Sequence, residues 1–277
     1  MIAWYTTGPS TFGDLSCVIC CRTLRLKDGL PSSCFGCGLP VCGGGCNAKK
    51  ASGCEGLKDS AEEDATPYHV KSGECALIAA AAAAGSKDAK DAKLGNLVSH
   101  WLAVLRALTL KRSAPEDYQR FMELEHHVED IRESVVIQSY KQKVVGPLQA
   151  LLGQDWSEGE IIRCCGRLDS NAFRIDTGHR GGLRAVYATA SKINHDCGPN
   201  SRVSFDSDKR LHLFAKTYIN RGEEITVTYC NPLLGTPARQ KKLLSTRFIS
   251  CKCKRCNDPT EYGTSLYKQG PDLVVIG

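Results

Sequence analysis

Between Leu94 and about Leu152 the apolar positions recur at helical spacing. Leu97, Trp101, Val104, Leu105 and Leu108 stand three and four apart, which predicts one helix with a single buried stripe. Pro115 followed by Glu116 and Asp117 predicts the start of a second helix, because proline suits the first helical position and acids suit the positive amino end. Phe121, Leu124, Val128 and Ile131 would form its inner face, with His126-His127 on the exposed side. A third run, residues 135–152, carries Gly146-Pro147, which should bend or end it. Ser157 with Glu160 is a capping box ahead of Ile161-Ile162.

After Leu168 the texture changes. Glycines stand at 178, 181 and 182, and Arg202–Phe205 and Leu211–Phe214 read as short strands around the turn Asp206–Lys209. Residues 224–229 alternate, Ile225, Val227 and Tyr229 against Thr226 and Thr228, as a half-buried strand does. Thr236-Pro237 should cap a helix running to about Arg247. Residues 12–76 show little periodicity and are rich in Cys and Gly, including Gly43-Gly44-Gly45; such a stretch cannot bury an ordinary core and needs metal to fold. Residues 79–93, mostly Ala, Lys and Asp, read as a helix start or a flexible link. There is no internal repeat, and the pattern is α+β with two metal-rich segments.

Composition narrows this. The 277 residues suffice for one large domain or two smaller ones, and 42% apolar with 24% charged residues is the balance of a soluble globular protein. A net charge of +6 favours acidic surfaces but is too small to argue nucleic-acid binding. Met1–Ser10 has neither a basic region nor an apolar run, and the Ala79–Ala84 tract is too short to span a bilayer. The expectation is a reducing, intracellular compartment. There, sixteen cysteines are not disulfides. Eight lie between Cys17 and Cys54 and three between Cys251 and Cys256, and that clustering reads as zinc.

In the first cluster the pairs are Cys17-x2-Cys20, Cys34-x2-Cys37 and Cys42-x3-Cys46, followed by His69 and Cys75. A structural zinc takes four nitrogen or sulfur ligands, so eight make two sites. The series resembles the MYND finger. The resemblance implies an interleaved set: Cys17, Cys20, Cys42 and Cys46 on one ion, Cys34, Cys37, His69 and Cys75 on the other. The family has a shorter gap before its His and three residues from His to Cys, whereas here an insertion rich in Lys, Asp and Glu intervenes and five residues separate His69 from Cys75. Cys54, inside the insertion, is an alternative ligand, and a buried free thiol is the alternative for any single cysteine. Cys21 is read as a non-ligand. MYND fingers imply a protein partner with a proline-containing peptide, not base-specific DNA contact.

The second constellation is Asn194-His195-Asp196-Cys197-Gly198-Pro199-Asn200, followed by Gly222-Glu223-Glu224-Ile225, Tyr229 and the triplet Cys251-x-Cys253-x2-Cys256. In order and spacing these resemble the NHxCxPN signature, its companion strand and the post-SET cysteines of SET-domain methyltransferases. Asn171-Ala172-Phe173 resembles a segment of the SET-and-MYND (SMYD) group, and Asp258-Pro259-Thr260-Glu261 resembles arthropod members of it. The resemblance implies a protein-lysine methyltransferase using S-adenosylmethionine. It makes Tyr229 the catalytic tyrosine and Phe173 the lining of the lysine channel. Asn194 and His195 would contact the cofactor, with Phe248 beside the position, here Ile249, where the family stacks an aromatic on adenine. Cys197 would join Cys251, Cys253 and Cys256, in keeping with the fact that three thiolates do not close a structural zinc site. Methyl transfer needs a neutral amine aligned with the sulfonium methyl in a channel that excludes water, and a hydroxyl there can orient the amine.

The expected organisation is a SET-like β fold with an inserted helical region, a zinc-stapled MYND finger and a post-SET zinc site. In residues, 1–16 would be a remnant of the first SET part, 17–75 the finger, 76–160 the helical insert, 161–230 the core, 231–263 the post-SET segment and 264–277 a tail. The family's Gly-x-Gly cofactor loop and carboxyl-terminal repeats have no counterpart in these residues, Arg247 stands where a second channel tyrosine is usual, and Lys192 where an apolar residue is usual. The expectation is therefore a methyltransferase acting on histone tails or other proteins, truncated and inactive in one version. The alternative is a non-catalytic adaptor that recruits partners for transcriptional repression. The zinc complement would be two ions in the finger and one in the post-SET segment. Location in nucleus and cytoplasm, with no membrane and no sequence-specific nucleic acid, completes the expectation.

Overall fold

The computed structural model describes residues 2–6, 15–17, 23–24, 32–34, 40–41, 75–77, 79, 93–152, 156–176, 182–206 and 209–260. The chain divides into two units, Met1–Ser191 and Lys192–Gly277.

The first unit joins helices to an antiparallel sheet. Strands β1 (Ile2–Thr6), β6 (Phe173–Ile175) and β7 (Gly182–Val186) lie in the order β1-β7-β6, with Trp4 and Arg174 both opposite Arg184. Two short hairpins, β2 (Leu15–Ser16) with β3 (Thr23–Leu24) and β4 (Ser32–Ser33) with β5 (Pro40–Val41), belong to the Cys-rich segment. Helix α1 (Lys93–Ser113) carries the predicted stripe, of which Val104, Leu105 and Leu108 are buried. They share one core with Phe121, Leu148, Ile161 and Cys164. Burial pushes the Cys164 thiol up to about 12, so it behaves as an inert apolar group.

Helix α2 (Pro115–Met122) starts at its proline as expected but ends sooner. The chain then turns, with His127 at φ 50° and His126 Nδ1 accepting from the Val128 N–H at 3.1 Å. His126 and His127 are thus turn residues, not an exposed helical face. Helix α3 (Val135–Tyr140) passes through a π-helical turn (Lys141–Val145) into α4 (Gly146–Leu152). Pro147 therefore does not end the run. It lacks an N–H and its ring crowds the carbonyl four residues back, and the wider π turn just before it absorbs the misfit.

Helix α5 (Glu158–Asn171) opens on the predicted capping box. Ser157 Oγ accepts from the Glu160 N–H at 3.3 Å, and Glu160 Oε2 accepts from the Ser157 hydroxyl at 2.8 Å and from the Ser157 N–H at 3.0 Å, the two bonds that hold the Glu160 carboxyl below its usual range. Its inner face closes the end of α2. Arg167 donates to the Met122 carbonyl through Nη2 at 2.9 Å and Nε at 3.2 Å, and Asn171 Nδ2 donates to the Glu125 carbonyl at 2.7 Å, so carbonyls orphaned at a helix end find donors from another helix. The approach depends on Gly166: a Cβ there would lie 2.3 Å from the His126 carbonyl oxygen and 2.9 Å from Val128 Cγ2. Gly166→Ala should lower stability by about 2 kcal/mol or more through overpacking against backbone, read as a lower urea midpoint at unchanged slope.

The second unit holds a hairpin, β9 (Ser201–Phe205) with β10 (Leu211–Ala215), a parallel pair, β8 (Asn194–His195) with β11 (Thr226–Val227), and helices α6 (Thr236–Arg247) and α7 (Lys254–Asn257). The strand expected over 224–229 is confined to two residues, because side chains rather than a second ladder occupy much of its backbone. The N-cap of α6 is Gly235, without a side-chain cap, and Thr236 lies inside the helix with its hydroxyl turned to Arg239. Among the described residues no helix is long and apolar enough to cross a membrane.

Candidate functional site

In the second unit the two motifs recognised in the sequence are laced together. Asn194 and His195 pair in parallel with Thr226 and Val227, and the Asp196 N–H extends the ladder to the Val227 carbonyl at 3.0 Å. Asn200 clasps the same strand with its carboxamide: Oδ1 accepts from the Thr226 N–H at 2.9 Å and Nδ2 donates to the Glu224 carbonyl at 2.8 Å. Ser201 Oγ donates to the Thr226 carbonyl at 2.6 Å. Asp196 Oδ1 accepts from the Gly198 N–H at 2.7 Å, which shapes the loop as an Asx turn. Asn194 and Glu224 are both exposed and joined by Nδ2 to Oε1 at 2.6 Å.

Beneath this clasp four cysteines converge. The Sγ atoms of Cys197, Cys251, Cys253 and Cys256 all lie within 4.8 Å of one another, with Cys197 and Cys256 at 3.5 Å. Zinc–sulfur bonds of about 2.3 Å in a tetrahedron place sulfurs about 3.8 Å apart, whereas a disulfide needs about 2 Å. The donor set and its spacing therefore fit a zinc ion. Each ligand is positioned locally. Helix α6 holds Cys251 by a two-point amide clamp, Gln240 Nε2 donating to the Cys251 carbonyl at 2.6 Å and Oε1 accepting from its N–H at 3.1 Å. The short α7 turns Cys256 back, its N–H on the Cys253 carbonyl at 3.0 Å. Leu243, fully buried, and Ile249 pack against the cluster. Without metal, burial pushes the Cys251 thiol up to about 12 and raises Cys197 as well, so metal uptake here releases protons.

His195, Cys197 and Cys230 form a second grouping of close ligand atoms. The histidine tautomer argues against a metal there. The Tyr229 N–H points at His195 Nδ1 at 2.9 Å, so Nδ1 carries the lone pair and the proton sits on Nε2, 3.3 Å from Cys197 Sγ. Burial holds the imidazole below its usual pKa, which keeps it neutral. His195 thus donates to a cluster sulfur and accepts from the backbone of Tyr229. Both its ring nitrogens are engaged within the chain.

Tyr229 is half-buried, its hydroxyl donating to the Ile193 carbonyl and the Arg247 guanidinium 5.3 Å from its ring centre. Burial raises its pKa, with Arg247 opposing, so the phenol stays protonated at neutral pH. Phe248 closes α6 in the left-handed region at φ 57° and is half-buried. In the first unit, Phe173 on β6 meets Tyr187 edge to face, ring centres 5.9 Å apart. Of the residues expected as finger ligands, Cys17, Cys34 and Cys75 are buried, and Cys34 Sγ lies 3.6 Å from Cys75 Sγ, 41 positions on. Cys20, Cys37, Cys42, Cys46 and His69, with the alternative Cys54, lie outside the described residues. Sequence reading assigned no role to Asn200, Glu224, Arg239 or Gln240. Asn200 and Glu224 carried a signal, as members of the two motifs, and Arg239 and Gln240 carried none.

Residues 71–230 match the SET domain family. The chain is 26% identical over 268 residues to the SET domain-containing protein SmydA-8, isoform A, of Drosophila melanogaster, a match covering 94% of this chain and 51% of the fly protein. It is 39% identical over 89 residues to the histone-lysine N-methyltransferase SET5 of Saccharomyces cerevisiae, covering 32% of this chain and 16% of the yeast protein. A third relative is the SET domain and MYND-type zinc finger protein 6 of Schizosaccharomyces pombe, 35% identical over 96 residues, 34% of this chain and 20% of that protein. The chain thus spans about half the length, or less, of these curated relatives.

Proposed function

The chain belongs to the SET-domain family, and on that premise we propose that it is an S-adenosylmethionine-dependent protein-lysine N-methyltransferase acting on histone tails or other proteins in nucleus and cytoplasm. The observation that carries the reading is the clasp of 193–200 around 224–229, which holds Tyr229 by its backbone and its hydroxyl. S-adenosylmethionine, when bound, supplies the sulfonium methyl. Exposed Asn194 and Glu224 present an amide and a carboxylate, groups suited to the hydroxyls and ammonium of such a cofactor. Tyr229, kept as a neutral phenol, would orient the substrate amine. Zinc is structural in this reading: one ion on Cys197, Cys251, Cys253 and Cys256, and two in a MYND-type finger over 17–75 that binds proline-containing peptides.

One observation favours a second reading, a non-catalytic adaptor. The Arg247 guanidinium lies over Tyr229, and a fixed cation there opposes a cationic lysine. Calorimetric titration of S-adenosylmethionine into zinc-loaded protein, with sinefungin as a check, separates the two. Micromolar binding, followed by peptide methylation that falls about a hundredfold or more in Tyr229→Phe, is the expected result. Absence of binding in a folded, zinc-loaded chain would leave the adaptor.

A further inference from the structure

Among the described residues Arg239 is the largest fully buried side chain, with relative exposure of 0%. Its partners are few for a unit charge. Nη1 donates to the Leu234 carbonyl, Nη2 to Thr236 Oγ1 at 2.9 Å, and Nη2 also reaches Cys256 Sγ at 3.8 Å. Nε, equally buried, has no hydrogen-bond partner among the described residues. Burying a guanidinium costs several kcal/mol unless an opposite charge lies close, and a carbonyl and a hydroxyl do not supply one. The nearest groups that can supply one are the sulfurs of the cluster, with Cys256 Sγ 3.8 Å from Nη2.

The sulfurs can carry that charge only as thiolates. Four thiolates around a divalent zinc leave a net charge of −2, itself buried among Leu243, Ile249 and the cluster walls. We infer that Arg239 is the built-in counter-charge of this four-thiolate metal centre, a positioning residue outside the ligand set that keeps the metal bound. It rests on the metal reading proposed above. The arrangement also explains the orphaned Nε. The guanidinium is held by the field of the cluster as a whole, and one unmade hydrogen bond is tolerated where the charge is matched. His195 serves the same centre from Cys197 as a neutral donor. Metal sites in which such outer residues are removed lose metal more readily, typically by ten- to a hundredfold.

The test compares two variants that separate charge from hydrogen bonding. Arg239→Gln keeps a neutral donor, and Arg239→Lys keeps the charge without the fork. Zinc per chain is counted by native mass spectrometry, and release to the chromogenic chelator 4-(2-pyridylazo)resorcinol is timed on the full chain. Zinc should leave Arg239→Gln about tenfold faster or more, while Arg239→Lys stays within about threefold of the unaltered protein. Thr236→Val, which removes one anchor of the guanidinium but no charge, should resemble the unaltered protein. If Arg239→Gln does not fold while Arg239→Lys folds and keeps its zinc, the charge is what the site requires and the inference holds. Equal release from the Gln and Lys variants, or a Lys variant that folds and sheds zinc like a ligand mutant, overturns it and leaves the metal reading standing. If the unaltered protein loses no zinc on Cys256→Ser, the metal reading falls, and this inference with it.

Discussion

Cys253→Ser should cost the protein one zinc ion and loosen residues 236–260. A structural zinc in a small cluster contributes on the order of 10 kcal/mol, far more than any single contact around it. The segment it ties is poor in other anchors: α7 is four residues long, and the core beside it consists of Cys197, Leu243 and Cys251 with partly buried neighbours. Removing one thiolate leaves a three-sulfur site that does not close. Native mass spectrometry should show the stoichiometry fall by one, and amide exchange over 236–260 should quicken. Over 236–260 a chelator should act on the unaltered protein in the same way and add little to the variant. An unchanged zinc count would remove this cluster from the metal sites.

Asn200→Ala should rank next. The Asn200 carboxamide stands between two loops, and its loss strips a partner from the Thr226 N–H and from the Glu224 carbonyl. The Thr226 N–H, left without its partner in a part-buried place, costs about 1–3 kcal/mol and the exposed Glu224 carbonyl about 1 kcal/mol, so a loss of about 2–4 kcal/mol is expected. Asn200→Asp keeps the acceptor for Thr226 but forfeits the donor to the Glu224 carbonyl and to Glu223 Oε1 and sets a second carboxylate beside Glu223, so its loss should shrink at a pH low enough to protonate them. Urea unfolding measures both. The clasp also sets the Tyr229 N–H on His195, so tyrosine ring signals should shift in the Ala variant before global unfolding. Equal stability of Asn200→Ala and the unaltered chain would mean that the β8–β11 pairing holds without the clasp.

Much of the local structure was legible because its causes are local. The stripe of α1, the proline start of α2, the capping box of α5 and the hairpin at 201–215 each depend on residues a few positions apart. Where local reading erred, a distant partner decided. The face drawn through Val128 and Ile131 broke at Met122, because Arg167 and Asn171 of α5 satisfy the carbonyls that a longer α2 would have bonded itself. The run through Gly146-Pro147 survived its proline because a π turn absorbs the misfit. The strand at 224–229 shrank because Asn200 and Ser201 occupy its backbone.

For the site the division is sharper. By itself the sequence determined which residue types were on offer: cysteines at ligand spacing, an Asn-His-x-Cys loop, a Gly-Glu-Glu strand ending in tyrosine. Cysteine spacing is a property of a turn, and a turn is written in neighbouring residues. The tertiary structure alone decided that Cys197 and Cys256, 59 positions apart, stand 3.5 Å from one another, and that His195 bonds a sulfur and a backbone N–H at once. It alone sealed Arg239, one of 36 basic residues and unremarked in its helix, beside the sulfurs. The physical reason is that burial and the sign of a neighbouring charge belong to the packed chain. An arginine on a helix reads as a solvated side chain until the fold closes over it.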